Sequence, residues 1–308
     1  MKRWMALVCF CLPCFGYEPW YTGTYLEYSG ANTPRGEYNL QTFTTSTLVT
    51  GYFQNDWSLN SSVDQTSRTI NTVWFNWGMT DWLDFTMVGQ LAYVNGSERG
   101  EATFFGPIQL YLGFMFAEDQ PDTWWPYLRF LYIQEFPTTP YDSLNEGRGF
   151  TATSNGSFQS AGVFILEKVF FRNTRHPTDI NLNLFYSYQT KAHISGISTF
   201  KGDITTNMQT HPGGIYAVNL SLQVSLSQRW IFETDINYSY WGATSLSGEL
   251  GRLSPALPFP ASQAITLTPG FGYSFSKDVG VFASFWVTPW GQNSESLFGI
   301  IFSFNGFF

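Results

Sequence analysis

The chain has 308 residues and a net charge of -8 at neutral pH, and only 12% of its residues are charged whereas 19% are aromatic. Soluble domains usually carry about a quarter charged residues, so this composition is unusual for a soluble protein. The acidic excess argues against nucleic acid as a partner, because binding to phosphate backbones needs a basic surface.

Residues 1–16 predict a secretory signal peptide. Lys2 and Arg3 supply its positive start, and an apolar stretch from 4 to 15 follows. The stretch is too short to span a bilayer as a helix. It contains all three cysteines of the chain, which are Cys9, Cys11 and Cys14. The exported chain therefore offers no disulfide and no thiolate metal site.

Residues 17–37 form a leader ahead of the first predicted strand. The segment is rich in aromatic, glycine and proline residues and shows little alternation of polar and apolar side chains. This pattern predicts an extended segment without regular secondary structure.

From residue 38 onward, polar and apolar side chains alternate in successive segments, which is the period of β-strands. The first segment, 38–53, is the least regular, because threonine and serine occupy both of its faces. Clearer segments follow at 69–78, 82–93, 108–116, 127–136, 180–189, 265–275, 279–287 and 297–308. The segment 158–170 is ambiguous in phase, because residues 163–166 are all apolar.

The links between these segments differ in length in a regular way. Short links at 79–81, 227–229 and 276–278 alternate with long polar ones at 137–157, 191–212 and 242–262. Short periplasmic turns and long external loops give this alternation in outer-membrane barrels.

The clearest pair of strands lies at 215–240. Leu220 and Leu222 belong to an apolar face, whereas Glu233 and Asp235 belong to a polar one. The strands exceed the usual five or six residues of soluble proteins and match the roughly nine to eleven that a lipid-spanning strand needs. Because carboxylates cannot face hydrocarbon, we expect the polar face to line a lumen.

These features predict an all-β fold, a single transmembrane antiparallel β-barrel of about twelve strands over residues 38–308, of the bacterial outer-membrane type. An even strand count places both chain ends on the periplasmic side, with the leader, 17–37, either periplasmic or in the pore mouth. We expect lipid and lipopolysaccharide to surround the barrel. The aromatic C-terminal residue, Phe308, is the expected signal for the barrel-insertion machinery.

The inward polar side chains are the candidate solute-contacting groups. A barrel of about twelve strands is narrow, and the excess of carboxylates favours cations or neutral solutes over anions. In the alternative interpretation these side chains bond one another across a plugged lumen and only hold the barrel together. The predicted lumen-lining residues are Asp84, Arg129, Glu135, Asp179, Asn181, Asn183, Glu233, Asp235 and Asn237.

One short pattern, His193 and Ser195, resembles the similarly spaced histidine and serine of the outer-membrane phospholipase and lipid A deacylase barrels. Acyl transfer needs such a base within reach of its nucleophile. No orienting Asn or Asp stands beside the pair in the sequence. A lipid hydrolase is therefore the less favoured function, and we predict no catalytic residues, no metal site and no cofactor.

The C-terminal part resembles the outer-membrane family named for the MetA pathway of phenol degradation. The matching pieces are 269–276, PGFGYSFS, and 287–294, VTPWGQNS, and the leader at 18–23 is similar to the start of barrels from intracellular Gram-negative bacteria. The resemblance implies passage of aromatic or other small hydrophobic compounds. The sequence thus predicts an outer-membrane channel or passive transporter for small solutes, with a structural or adhesive surface barrel as the alternative.

Overall fold

The computed structural model describes residues 26, 28–61, 66–96, 100–121, 123–138, 141–144, 154–198, 200, 202–249 and 258–308. The predicted signal peptide, 1–16, and the first part of the leader lie outside these residues. In the part of the chain that is described, no helix is both long and apolar enough to cross a membrane.

The described residues form eighteen β-strands. They are β1 Tyr38–Phe53, β2 Leu59–Asn60, β3 Thr66–Gly78, β4 Leu83–Gly96, β5 Gly100–Phe105, β6 Ile108–Ala117, β7 Tyr127–Phe136, β8 Gln159–Phe170, β9 Thr178–Gln189, β10 Ala192–Ser195, β11 Asn207–His211, β12 Ile215–Ser225, β13 Trp230–Trp241, β14 Ser245–Glu249, β15 Ser262–Leu267, β16 Gly270–Ser274, β17 Val279–Gln292 and β18 Ser294–Phe307.

The main sheet closes on itself as an antiparallel barrel of 12 strands, which confirms the predicted fold. The last strand, β18, pairs with β1 from Asn39 opposite Phe307 to Phe53 opposite Ser294. The two short strands β15 and β16 share one position between β13 and β17. They are separated at Pro269, where the missing N–H interrupts the ladder.

The outer loops contain a separate sheet that the sequence did not predict. Strand β11 pairs with β10 on one side and with β14 on the other, which joins the predicted loops 191–212 and 242–262. Its small core is formed by Ile194 and Met208, which are almost fully buried. The strands have only 4 or 5 residues each, so their alternation is too brief to stand out from a loop.

The outward face of the barrel carries a band of exposed apolar side chains. Leu220, Ile236 and Phe302 are 47%, 51% and 59% exposed, and they lie on β12, β13 and β18. Since backbone groups are paired around the closed barrel, this apolar surface suits a hydrocarbon environment.

The outward face of β1 and β3 is an exception to this apolar band. The Thr44 hydroxyl donates to Asn71 Oδ1 at 2.8 Å, and the Ser46 and Thr69 hydroxyls lie 3.0 Å apart. These cross-strand bonds satisfy polar groups that hydrocarbon would leave without a partner. They also explain why the alternation of residues 38–53 is weak.

A carboxylate fixes the turn between β6 and β7 at the end of the barrel that bears the short turns. Asp119 is buried and accepts hydrogen bonds from the Lys168 ammonium and, at 2.5 Å, from Arg172. It also accepts one from the Val169 backbone N–H at 3.1 Å. The turn is thereby tied to β8 and to the residues that follow it.

Replacing Asp119 by Asn is expected to lower the free energy of unfolding by about 1.5 to 3 kcal/mol at pH 7, because charged hydrogen bonds are lost. Burial raises the pKa of Asp119, but the bonds from Lys168 and Arg172 outweigh it and leave the pKa below its ordinary value. The stabilisation is therefore complete above about pH 4 and is lost as the pH falls through the lower pKa of the folded state.

Equilibrium urea unfolding of wild type and Asp119→Asn in lipid vesicles at several pH values tests this contribution. The difference between the two proteins should shrink as the pH falls below about 4. A difference that is constant down to pH 2 would contradict the assignment.

Candidate solute-binding lumen

A band of apolar and aromatic side chains lines the lumen at mid-height. One buried cluster includes Val88, Tyr111 and Leu131, together with Val163 and Ile165. A second cluster, on β1, β17 and β18, contains Phe43, Phe282 and Ile301, and Trp74 on the intervening β3 packs against both. At this level the inward face is therefore apolar, whereas the sequence predicts that polar faces line the lumen.

Aromatic rings contact one another around this band. The Trp74 ring lies edge-on to the rings of Phe43 and Tyr111, with centroids 5.8 and 5.5 Å away. Phe43 packs in the same way against Phe282 at 5.9 Å. Such pairs are worth about 0.5–1.5 kcal/mol beyond their buried area, so the band is a firm internal surface.

The described part of the leader crosses the lumen toward its periplasmic end. The Tyr28 N–H donates to Asn183 Oδ1 at 2.6 Å, the Gly30 N–H to Glu167 Oε2 at 2.5 Å and the Thr33 N–H to Asp84 Oδ2 at 3.1 Å. An irregular backbone inside a barrel needs such partners because its N–H groups cannot join the sheet. The wall residues therefore hold the segment in place.

The Arg129 side chain joins the barrel wall to this segment. Its Nη2 is 2.7 Å from both carboxylate oxygens of Asp84, and its Nη1 donates to the backbone oxygens of Ser29 at 2.7 Å and Ala31 at 3.2 Å. The two charged side chains are only 8% and 3% exposed. Geometry of this kind compensates for the desolvation of both charges.

The Tyr28 ring links the segment to the aromatic band. Its centroid is 5.8 Å from that of Trp74 and 5.9 Å from that of Tyr111. The Tyr28 carbonyl accepts bonds from Asn181 at 2.9 Å and Asn183 at 3.3 Å. Tyr28 is thus fixed at both its ring and its backbone.

The other predicted lumen residues also lie inside the barrel. Asp235 Oδ2 accepts from the Leu26 N–H at 3.4 Å and from the Thr268 hydroxyl at 2.5 Å. Glu135 accepts from Gln109 at 2.6 Å, and Asn237 accepts from Ser239 at 2.5 Å. Asp179 and Glu233 are 1% and 3% exposed, and both lie opposite Gln223 on the neighbouring strand β12. Contact of any of these residues with a passing solute stays a prediction.

Three of the larger cavities that the described residues line lie along the barrel. The outer cavity has a volume of about 520 Å³, the upper lumen cavity about 290 Å³ and the lower cavity about 360 Å³. The outer and upper cavities share Trp241, Thr266 and Trp286 as lining residues. The upper and lower cavities share Tyr28. The cavities therefore form a series in which Tyr28 stands between the last two.

Sequence reasoning missed the inward aromatic residues and the role of the leader backbone. Phe43 stands between Gln41 and Thr45 on the inward face of β1. A single aromatic residue within an otherwise polar face of a strand is a signal from which an apolar patch in the lumen could have been predicted. The leader gives no comparable signal, because it binds the wall through its backbone N–H and carbonyl groups.

The structure gives the hydrolase interpretation no support. The Ser195 hydroxyl donates to Asp142 Oδ2 at 3.0 Å and lies 3.2 Å from the Ser143 hydroxyl. No hydrogen bond joins His193 to Ser195, although both are among the described residues. Among the described residues the Ser195 hydroxyl contacts a carboxylate and no histidine, so the histidine–serine contact that the hydrolase interpretation needs is not formed.

The C-terminal residue lies at the seam that closes the barrel. The Phe308 N–H donates to the Tyr38 carbonyl at 2.9 Å, and the Tyr38 N–H donates to the Phe308 carbonyl at 3.1 Å. The Phe308 side chain is 72% exposed. Its role as an assembly signal stays a prediction.

No protein-family model matches the chain, and no curated protein matches it by sequence. The COG4313 outer membrane channel from Pseudomonas putida F1 is similar in structure, with a TM-score of 0.68 and 11% identity over 91% of this chain and 98% of that chain. The toluene transporter TodX from Pseudomonas putida has a TM-score of 0.40 and 13% identity over 89% of this chain and 90% of that chain.

The translocator domain of the autotransporter NalP from Neisseria meningitidis has a TM-score of 0.44 and 10% identity, and the match covers 89% of each chain. At these low identities, only the likeness to the COG4313 channel is informative, and it shows that the two proteins share a fold. Together with the exposed apolar band, it shows that the chain has the fold of a transmembrane β-barrel of the bacterial outer-membrane type.

Proposed function

We propose that the protein is an outer-membrane channel for small hydrophobic solutes, and for neutral aromatic compounds in particular. The observation that carries this proposal is the apolar, aromatic band inside the lumen, formed around Phe43, Trp74 and Tyr111. A channel for sugars or ions would need polar groups at this level to replace the hydration of the solute.

The dimensions of the cavities support the same solute class. The lower cavity, of about 360 Å³, is bordered in part by Phe43, Trp74, Tyr111 and Leu131 and elsewhere by polar side chains. Binding sites for small molecules typically span about 300–1,000 Å³ and are lined mainly by apolar and aromatic groups with a few polar ones. A neutral aromatic ring can stack on these side chains with no loss of polar contacts.

Two likenesses agree with a channel function, and the second also agrees with the solute class. The COG4313 protein with the similar fold is described as an outer membrane channel. The resemblance of residues 269–276 and 287–294 to the family named for phenol degradation implies the transport of aromatic compounds. The alternative, a surface barrel without a transported solute, does not require an aromatic band inside the lumen.

Replacing Trp74 by Ala is expected to weaken the binding of a neutral monoaromatic alcohol by about tenfold, which corresponds to about 1.4 kcal/mol. The wild type and the variant are compared by calorimetry in lipid nanodiscs, with empty nanodiscs to correct for partition into lipid. Trp77→Ala is the matched control, because Trp77 lies on the same strand, faces outward and is 37% exposed. No binding by the wild type, or equal loss in both variants, would favour the surface barrel.

A further inference from the structure

Three oxygen-bearing side chains stand side by side in the lumen near its periplasmic end. Asp179 on β9 lies directly opposite Gln223 on β12, which lies directly opposite Glu233 on β13. All three are buried, with exposures of 1%, 3% and 3%. The Cβ atoms of directly opposed residues are about 4.5–5.5 Å apart, so neighbouring side chains in this row are within reach of one another.

Each member of the row has an oxygen without a hydrogen-bond partner among the described residues. These atoms are Asp179 Oδ1, Gln223 Oε1 and Glu233 Oε1. Neither carboxylate takes part in an ion pair within the described part of the chain. A buried carboxylate with no positive partner is costly, and a neutral amide oxygen in the same row also needs a donor or a cation.

None of the described basic side chains forms an ion pair with this row, and nearby Arg229 donates to the Tyr273 hydroxyl. Asp235, in the next inward row of β13, is a further carboxylate, and it binds Asn219 and Thr268. Arg172 is bonded to Asp119 in the periplasmic turn, and Arg129 is bonded to Asp84. The row therefore has an excess of negative charge that the described side chains do not balance.

A small cavity adjoins two members of the row. Its volume is about 30 Å³, and its lining includes Gln223, Glu233, Tyr273 and Asn305. This space is sufficient for one ion or one water molecule. Gly272 and Gly280 also line it.

We propose that Glu233, Gln223 and Asp179 bind a calcium ion at the periplasmic end of the lumen. Carboxylate and amide carbonyl oxygens are the hard ligands that Ca²⁺ takes, and it accepts six to eight of them, water included, in flexible geometry. The smaller Mg²⁺ demands a near-ideal octahedron, which side chains on three separate strands do not readily provide. A bound ion would cross-link β9, β12 and β13 beneath the solute path.

Terbium luminescence of the folded protein in detergent tests this site, because Tb³⁺ replaces Ca²⁺ and is excited through nearby aromatic rings. Tyr273 lines the same small cavity, and the Trp230 ring lies 5.0 Å from that of Tyr273. The site predicts a saturable signal that Ca²⁺ abolishes and that an equal concentration of Mg²⁺ leaves largely intact. The absence of a saturable, calcium-sensitive signal in the wild type would overturn the proposal.

Two variants and a control make the assignment specific. Glu233→Gln should weaken Tb³⁺ binding at least tenfold, and Gln223→Arg should abolish it, because a guanidinium would occupy the place of the ion between the two carboxylates. Glu135→Gln removes a lumen carboxylate of β7 that is bonded to Gln109, and it should bind Tb³⁺ as the wild type does.

Heat-modifiable migration in electrophoresis shows that each variant has folded, and Gln223→Arg carries the test if Glu233→Gln does not fold. Binding by both variants at the wild-type level would place the Tb³⁺ site elsewhere and overturn the proposal. This result would leave the proposed passage of aromatic solutes untouched, since the row lies outside the aromatic band.

Discussion

Replacing Leu220 by Arg should lower the free energy of unfolding by about 2 to 4 kcal/mol, which is the range for a basic side chain on the lipid face near the bilayer midplane. Leu220 lies in the middle of Ile215–Ser225, points outward and is 47% exposed. Its direct neighbours across the sheet are Leu182 and Ile236, both apolar. A guanidinium at this position would either have to reach the headgroup region or bring water molecules into the hydrocarbon, and both are costly.

Gln223→Arg is the matched comparison on the inward face of the same strand. The new guanidinium would lie between Asp179 and Glu233, where opposite charges compensate its burial. We expect this variant to unfold at nearly the urea concentration of the wild type and to shift any residual ion current toward anions. The two free energies come from reversible urea unfolding in lipid vesicles. Equal losses in both variants would mean that the inward and outward faces are wrongly assigned.

Replacing Arg129 by Ala should cost about 3 to 5 kcal/mol, because it leaves the Asp84 carboxylate buried without its partner. The substitution also removes the hydrogen bonds to the Ser29 and Ala31 carbonyls, which hold the leader segment across the lumen. We therefore expect the segment to detach more often and the single-channel conductance in planar bilayers to rise above that of the wild type.

Arg68→Ala is the control for the loss of an arginine from an ion pair. Arg68 binds Glu295 at 2.7 Å, but the two side chains are 37% and 36% exposed. An exposed pair of this kind contributes about 0 to 1 kcal/mol, and this one has no hydrogen bond to the described part of the leader segment. Stability and conductance that change to the same degree in the Arg129 and Arg68 variants would contradict the bridging role of Arg129.

The barrel could be predicted from the sequence because its period is repeated many times. In β12, Leu220 and Leu222 alternate with Ser221 and Gln223, and this period of two directly indicates a wall with two different faces. Where polar side chains satisfy one another across strands, as Thr44 and Asn71 do, the same rule gives a weak signal. The sequence predicts the strand at 38–53. Its polar outer face, however, is explained only by the cross-strand hydrogen bonds to β3.

The candidate site could be predicted only in part. The charged residues Asp84 and Arg129 were found because a charge on a membrane strand must face inward. The sequence does not identify Phe43 and Trp74 as lumen residues, because an aromatic side chain can face either the lipid or the interior of the barrel. The contacts of Gly30 and Thr33 involve backbone N–H groups, which every residue except proline has, so no sequence pattern distinguishes them.

The outer sheet shows a further limit of sequence reasoning. Strand β11 pairs with β10, which is close in sequence, and with β14, which follows two full barrel strands later. The strands are held by the burial of Ile194 and Met208, and such packing between distant loops depends on how the barrel brings them together.

Uptake into vesicles whose outer leaflet is lipopolysaccharide tests the central claim most directly, because this leaflet slows hydrophobic solutes in the absence of protein. The rates for a neutral aromatic alcohol and for a sugar of similar volume are measured with and without the protein. We predict that the protein accelerates uptake of the aromatic and that the sugar stays close to its protein-free rate. Equal acceleration of both solutes, or of the sugar alone, would show that the aromatic band does not select what crosses the barrel.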